Sequence, residues 1–184
     1  PAGYRSASVD GIERAMAKIR PFRGLRYTLE AGASATPLMA PPYDVVDAQG
    51  RADLVAQSEN NCMRFILPEG DGDEKYARGA SAFRGMVSEA MTRDPKPGIY
   101  VYHQTFEALG ATYVRKGMVA LIELTRFGNG PVLAHERTLS GPKMDRLKLM
   151  RACEAHLELV FGMFSDPGKG WEGIVDPAKG EPVL

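Results

Sequence analysis

The sequence predicts an α+β or mixed α/β domain with a mixed, largely antiparallel sheet, a central hairpin and two to three packed helices. Two β-branched and aromatic runs in residues 98–125 flank a turn at Gly110, which is typical of a hairpin. Apolar residues recur at helical spacing in 73–93, and Pro142 at a first turn indicates a further helix over 142–155. Strands and helices follow one another along one chain, which is the element order of such a domain.

The N-terminal elements are a strand at 18–27 and a helix at 47–58. Pro21 restricts the strand to a sheet edge or a bulge, because proline has no amide hydrogen to donate to a neighbouring strand. Asp47 is the expected N-cap of the helix, since its carboxylate can accept hydrogen bonds from the free amides of the first turn.

Two short apolar runs, at 61–70 and 157–164, predict buried strands. The first run is ended by a proline and a glycine, and the second follows the last predicted helix. The residues expected in the core are Ile66, Phe83, Val101, Met118, Leu121, Leu147, Val160 and Phe161.

Composition and charge argue against several classes of protein. The chain of 184 residues has 23 lysines and arginines and 23 acidic residues, so its zero formal net charge argues against bulk attraction to nucleic acid or membrane. Cys62 and Cys153 have no second ligand at metal spacing, which argues against a zinc site and a disulfide framework. We expect a reducing, cytoplasmic location, because the sequence shows neither a signal peptide nor a membrane span.

Three regions are expected along the chain. Residues 1–15 are interpreted as a disordered leader, and 16–166 as a single α+β domain. Residues 167–184 are interpreted as a Gly/Pro-rich tail or as the start of a missing C-terminal domain.

The segment AHERTLSGPKMDRLKLM, residues 134–150, contains the main candidate site. Ser140 is the expected N-cap of its helix, so the amides that follow would point outward and favour an anion. Lys143 and Arg146 lie three positions apart on one helical face, where both can reach the same phosphate or carboxylate.

Four polar residues precede that helix at the end of a predicted short strand, PVLA at 131–134, which is the usual position of ligand groups in α/β sheets. His135 and Glu136 are candidates for proton transfer, and Arg137 for a bidentate grip on an anion. Thr138 is a candidate contact to the same ligand. The alternative is ordinary surface pairing, in which these charges and Asp145 of the helix pair with their neighbours.

The segment APPYDVV, residues 40–46, is the second candidate site. Its two prolines fix the backbone, so Tyr43 and Asp44 are presented on a rigid loop. Asp44 suits a base or a magnesium ligand, although a proline pair before a helix is also ordinary architecture. We expect residues 41–44 and 135–138 to line a common cleft.

Several motifs resemble those of one prokaryotic family. They are MAKIRPFRGLRY, APPYDVV, ILPEG, DPKPGIYVYHQTF and LAHERTLSGPKMDRLKLMRA, and they extend from about Met16 to Asp166. On these motifs the chain resembles the N-terminal half of the domain of unknown function 1015 family. Members are similar in their second half to the ParB/sulfiredoxin superfamily, which includes a free-serine kinase, and generally carry an Asp-Gly-His-His-Arg motif downstream. This sequence lacks that motif, and it has Glu158-Leu159 where relatives tend to have Ser-Pro.

The resemblance implies two classes of function. The first is a nucleotide-dependent small-molecule phosphotransferase linked to serine metabolism, with ATP or ADP and magnesium as cofactors and a small anionic metabolite as partner. Lys143, Arg146 and Arg137 would then hold phosphate, because phosphoryl transfer depends mostly on positioning and charge stabilisation. The second is a non-catalytic metabolite-binding or regulatory module, or a nucleic-acid-associated relative of ParB. The glycine-rich loop motifs of common nucleotide sites are absent from the sequence.

Overall fold

The computed structural model describes residues 16–30, 32–126, 130–134 and 139–171. It contains the helices α1 (Ala48–Gln57), α2 (Met63–Ile66), α3 (Glu74–Glu89) and α4 (Ser140–Cys153). Its strands are β1 (Ile19–Arg20), β2 (Leu25–Tyr27), β3 (Met91–Arg93), β4 (Tyr100–Ala108), β5 (Ala111–Val119) and β6 (Leu121–Ile122). Helices combined with small antiparallel sheets confirm the α+β class.

The strands of the described residues form three separate two-stranded antiparallel sheets, so the prediction of one mixed sheet is wrong. β1 pairs with β6, β2 with β3, and β4 with β5. The β4–β5 hairpin is confirmed, and its turn residues Leu109 and Gly110 have φ angles of 50° and 75°. Glycine adopts this left-handed conformation without steric cost. The hairpin pairs with no third strand in the described part of the chain, so it is not central to a sheet.

The predicted strand at 18–27 is divided at Pro21 into β1 and β2. Between them, Phe22 forms a single bridge to Gly98, with N–H···O distances of 3.0 and 2.9 Å. The N-terminal segment therefore contacts β6, the residues before β4, and β3 in turn. The interruption follows from proline, which cannot donate a ladder hydrogen bond.

The core lies between α2, α3 and α4. Phe65 and Phe83 meet edge to face, with their ring centroids 5.3 Å apart. The buried cluster consists of Phe65, Ala80, Phe83, Met86, Leu149 and Cys153. Burial of this apolar surface is the main stabilising contribution to the helical part of the fold.

The turn before α1 is attached to this core through Asn61, which is fully buried. Its side-chain amide donates to the carbonyl oxygens of Pro37 and Met39 at 2.8 and 3.0 Å, and its Oδ1 accepts from the amide of Met63 at 2.9 Å. A buried amide that satisfies three groups fixes the chain that leads into APPYDVV against the start of α2.

Both predicted buried strands outside the hairpin are wrong. The run at 61–70 contains α2, in which the carbonyl of Cys62 accepts from the amides of Phe65 and Ile66. A short apolar run has no periodicity that separates a buried strand from a buried helical turn. Residues 157–164 form neither a helix nor a strand. Their large apolar side chains are mostly exposed, namely Leu159, Val160, Phe161, Met163 and Phe164.

The predicted core is confirmed at Phe83, which is 8% exposed. Ile66 is half-buried against the same cluster, and Met118 and Leu147 are half-buried elsewhere. The remaining expected core residues are exposed: Val101, Leu121, Val160 and Phe161. They lie in small sheets or in the irregular segment, where no second layer of the described residues covers them.

Gly24 lies too close to Tyr100 for any side chain. A Cβ at this position would lie 2.6 Å from the tyrosine Oη and 3.0 Å from its Cζ. The ring is held in place, because its hydroxyl accepts from the Gly24 amide at 2.8 Å and donates to the carboxylate of Asp94. We expect Gly24→Ala to lower the free energy of unfolding by about 1–3 kcal/mol, measured by urea denaturation.

The control is Gly85→Ala in α3, where an added Cβ meets nothing within 4 Å. That change should leave stability unchanged or raise it, because alanine is the better helix former. An unchanged urea midpoint for Gly24→Ala would contradict the close contact.

Candidate functional site

The first turn of α4 begins one residue earlier than the sequence predicts. Leu139 is the N-cap, and Ser140 is the first helical residue, without a side-chain capping hydrogen bond. The amide of Lys143 already donates to the Leu139 carbonyl at 3.4 Å, so the free amides are those of Ser140 and Gly141. The prediction of Ser140 as N-cap is therefore wrong. Pro142 does lie in the first turn, where its missing amide costs little.

A groove of about 230 Å³ joins the start of α4 to the APPYDVV segment. Tyr43 lies in a short 3-10 turn, Tyr43–Val45, which follows Pro42. The Arg146 guanidinium lies over the Tyr43 ring, 3.9 Å from its centroid. The groove is lined by Tyr43, Pro142, Lys143, Arg146, Leu147 and Met150. Three residues that the sequence indicated as ligand contacts, Tyr43, Lys143 and Arg146, thus line one groove.

Hydrogen bonds and ion pairs fix the guanidinium of Arg146. Its Nε and Nη2 donate to Oδ2 of Asp145 at 3.0 and 2.5 Å, and its Nη1 donates to the carbonyl of Ile66 at 2.8 Å. The same Nη1 lies 3.6 Å from a carboxylate oxygen of Glu158. Only 16% of the side chain is exposed. Arg146 therefore positions Tyr43 and joins α4 to α2, and its charge is largely balanced within the protein.

Asp145 connects Lys75 and Tyr76 of α3 with Arg146 of α4. Its Oδ1 accepts from Lys75 Nζ at 2.7 Å and from the Tyr76 hydroxyl at 2.9 Å, while its Oδ2 accepts from Arg146. Partial burial alone would raise the pKa of Asp145, but the hydrogen bonds from Lys75, Arg146 and Tyr76 outweigh it and lower the pKa to about 2. The carboxylate therefore stays ionised and ties α3 to α4.

Unlike Arg146, Lys143 is exposed, and within the described residues its side chain forms no hydrogen bond or ion pair. Lys148, five residues further along α4, pairs instead with Asp73 at 2.6 Å. Lys143 is thus the lysine of α4 whose charge is available at the groove.

Glu158 is a residue of this region that sequence analysis did not select. Burial raises the pKa of Glu158, Arg146 opposes that shift, and the charges of Asp44 and Asp145 reinforce it. Glu158 lies next to the groove through its contact with Arg146, and Asp44 follows Tyr43 in the 3-10 turn. The approach of Glu158 to Arg146 is a tertiary contact, so no pattern within a few neighbouring residues indicated it.

The remaining predicted site residues are His135, Glu136, Arg137 and Thr138, and they lie outside the described residues. The predicted cleft between 41–44 and 135–138 therefore stays a prediction. Among the residues that are described, no cluster of three or more histidine, cysteine, aspartate or glutamate side chains has a geometry that could hold a metal ion. In the same part of the chain, no helix combines the length and apolarity needed to cross a bilayer.

Comparison with known proteins identifies a family for this chain. No curated protein and no solved structure matches it. One family model, described as "Protein of unknown function (DUF1015)", matches residues 19–184, which is most of the sequence. The chain therefore belongs to the DUF1015 family.

Proposed function

We propose that the chain binds a small phosphorylated or carboxylated metabolite in the groove beside α4. The observation that carries this proposal is Lys143, an exposed cation without a partner in the described residues, at a groove lined also by Tyr43 and Arg146. Pockets for drug-sized ligands typically occupy about 300–1,000 Å³. A groove of about 230 Å³ suits a small metabolite better than a complete nucleotide.

The attraction for the anion comes from Lys143 and from the start of α4. Because Asp145 and Glu158 balance Arg146, that guanidinium contributes less than its formal charge suggests. The free amides of Ser140 and Gly141 add the favourable interaction of a helix N-terminus with an anion, about 0.3–1 kcal/mol when exposed. Tyr43 supplies an aromatic wall whose orientation is fixed by Arg146.

A nucleotide-dependent phosphotransferase is the second candidate function, and Glu158 favours it. A carboxylate beside Arg146 whose pKa is raised by burial can act as a general base toward a substrate hydroxyl. This candidate includes the proposed relation to the ParB/sulfiredoxin superfamily, a substrate from serine metabolism, and ATP or ADP with magnesium as cofactors. Asp44, together with His135 and Glu136, remains a candidate for proton transfer or for a contact to magnesium.

Lys143→Ala is the direct test of the binding proposal. We expect it to weaken binding of phosphoserine or inorganic phosphate by about tenfold, because it removes one charge-assisted hydrogen bond. Isothermal titration calorimetry of the purified chain measures the affinity. The melting temperature should not change, since Lys143 is exposed and unpaired in the described structure. Arg146 is unsuitable as a test because its removal would also break contacts to Ile66 and Asp145.

Lys148→Ala is the matched control, because it removes the same charge from α4 at an exposed lysine that pairs with Asp73. Equal affinities of wild type and Lys143→Ala would contradict the proposal, as would the absence of binding in wild type. The phosphotransferase is tested by measuring release of ADP from ATP in the presence of magnesium and serine. If the chain has this activity, Glu158→Gln should abolish turnover and retain phosphoserine binding.

A further inference from the structure

Two arginines meet at the end of the β2–β3 pair, far along the sequence from α4. Arg93 is the last residue of β3. It lies opposite Leu25, which follows Arg23 by two residues. A hydrogen bond of 2.9 Å from the amide of Asp94 to the carbonyl of Gly24 extends the pairing to the residue next to Arg23. Both arginines are exposed.

Each guanidinium is oriented by a backbone carbonyl. The Nε of Arg23 donates to the carbonyl oxygen of Asp94 at 2.6 Å, and the Nη1 of Arg93 donates to the carbonyl oxygen of Arg23 at 3.3 Å. A guanidinium has about five N–H donors, so each arginine keeps most of its donors for a ligand. Because the side chains are already anchored, a ligand has less side-chain entropy to offset when it binds.

The carboxylate near these two arginines belongs to Asp94, and both of its oxygens already accept hydrogen bonds. Its Oδ1 accepts from Nε and Nη2 of Arg26 at 2.9 and 2.7 Å, and its Oδ2 accepts from the hydroxyl of Tyr100. The hydrogen bond from Arg26 is the main cause of the lowered pKa of Asp94. Within the described part of the chain, neither Arg23 nor Arg93 forms an ion pair with a carboxylate. The charge of Arg23 does act on Asp94, but that carboxylate is already hydrogen-bonded to Arg26 and Tyr100. A bound anion would therefore still reduce the repulsion between Arg23 and Arg93.

The geometry points to a phosphate dianion as the ligand of the Arg23–Arg93 pair, at a site separate from the α4 groove. The planar donor fork of arginine matches phosphate oxygens, and two single positive charges balance one dianion. A carboxylate monoanion would leave one arginine without a counter-ion. A small phosphate ester or a diphosphate fits better than nucleic acid, because two arginines engage one phosphate group, and the chain has zero formal net charge.

The test is an NMR titration of the ¹⁵N-labelled chain with inorganic pyrophosphate at an ionic strength of about 0.1 M, where the Debye length is about 10 Å. The amide resonances of 22–26 and 91–96 should shift in a saturable way. Replacing both arginines, Arg23→Gln with Arg93→Gln, should reduce this affinity by about tenfold or more, because the charge-assisted hydrogen bonds are lost. Acetate should bind more weakly than pyrophosphate.

The matched control is Arg151→Gln with Lys169→Gln, which removes the same formal charge from two exposed positions elsewhere. Its affinity should stay within about twofold of wild type, because distant exposed charges are largely screened. Equal losses in the two double variants would overturn the site, since long-range charge alone would then explain binding. Shifts confined to 140–147 would overturn it as well, by placing the anion at α4 only.

Two further experiments distinguish a small phosphate ligand from nucleic acid, and forked hydrogen bonds from charge alone. A single-stranded oligonucleotide that shifted the amides of 22–26 more than pyrophosphate at equal phosphate concentration would overturn the choice of a small ligand. Arg23→Lys with Arg93→Lys keeps both charges and loses the forked donors, so an intermediate affinity supports the proposal and a wild-type affinity overturns it. This lysine variant also serves as the test if the glutamine variant does not fold.

Discussion

Replacing Leu149 with alanine is expected to lower the free energy of unfolding by about 2–5 kcal/mol, in the upper part of that range. Leu149 is 2% exposed in the core between α2, α3 and α4. Its Cδ1 lies directly over Gly79 of α3, where an added Cβ would be only 3.0 Å away. Glycine has no side chain that could move into the space, so the cavity left by the leucine would remain largely open.

Urea denaturation of wild type and Leu149→Ala measures this loss, with Leu159→Ala as the matched control. Leu159 is 74% exposed, so its truncation should change stability by no more than about 0.5 kcal/mol. Adding Gly79→Ala to both backgrounds gives a double-mutant cycle. The added methyl should be more favourable in the Leu149→Ala background, because it then partly fills the space. Independent, additive effects would contradict the direct contact between these two residues.

Local sequence signals predicted the elements that depend on neighbouring residues. Asp47 accepts from the amide of Gly50 at 2.7 Å, and the helix it caps runs close to the predicted range. The β4–β5 hairpin follows from its two alternating runs and from a turn with positive φ at Gly110. These signals act within a few residues, so the sequence alone contains them.

Tertiary contacts decided the elements that the sequence did not predict correctly. The run at 61–70 becomes a helical turn beside Asn61, whose side chain bonds to carbonyls more than twenty residues earlier. The run at 157–164 has the composition of a buried strand, yet no strand of the described residues pairs with it. Apolar composition indicates a tendency to be buried, and the partner that would bury the segment is not encoded locally.

The candidate groove, too, was predictable only where it depends on local sequence. Tyr43, Lys143 and Arg146 were each indicated by local chemistry, namely a rigid proline loop and two cations on one helical face. The pairing of Arg146 with Asp145 is also local. Its contact to the carbonyl of Ile66, and that of Asp145 to Tyr76, join residues 80 and 69 positions apart. Such contacts determine whether a cation is free for a ligand, and spacing along the chain cannot reveal them.

Asp145→Asn is expected to lower the free energy of unfolding by about 1–3 kcal/mol near neutral pH, because it weakens hydrogen bonds that charged groups make. An asparagine side chain cannot accept at both of its ends, so it would present an N–H group to either Lys75 or Arg146. Asp73→Asn is the matched control: Asp73 also pairs with a lysine, but its side chain is 77% exposed. That control should cost no more than about 1 kcal/mol, as is usual for exposed ion pairs.

The pH dependence of stability gives the sharper measurement. The pKa of Asp145 is lowered from 3.8 to about 2 in the folded chain, so its ionised form stabilises the fold at pH values above the unfolded pKa. This contribution, about 1–2 kcal/mol after allowance for partial solvent exposure, should be lost as the pH falls from about 4 to about 2. The stability difference between wild type and Asp145→Asn, followed by urea denaturation, should therefore shrink over that range. A difference that stays constant with pH would mean that Asp145 acts through shape alone. The Lys75–Asp145–Arg146 contacts would then not be what holds Arg146 against Tyr43.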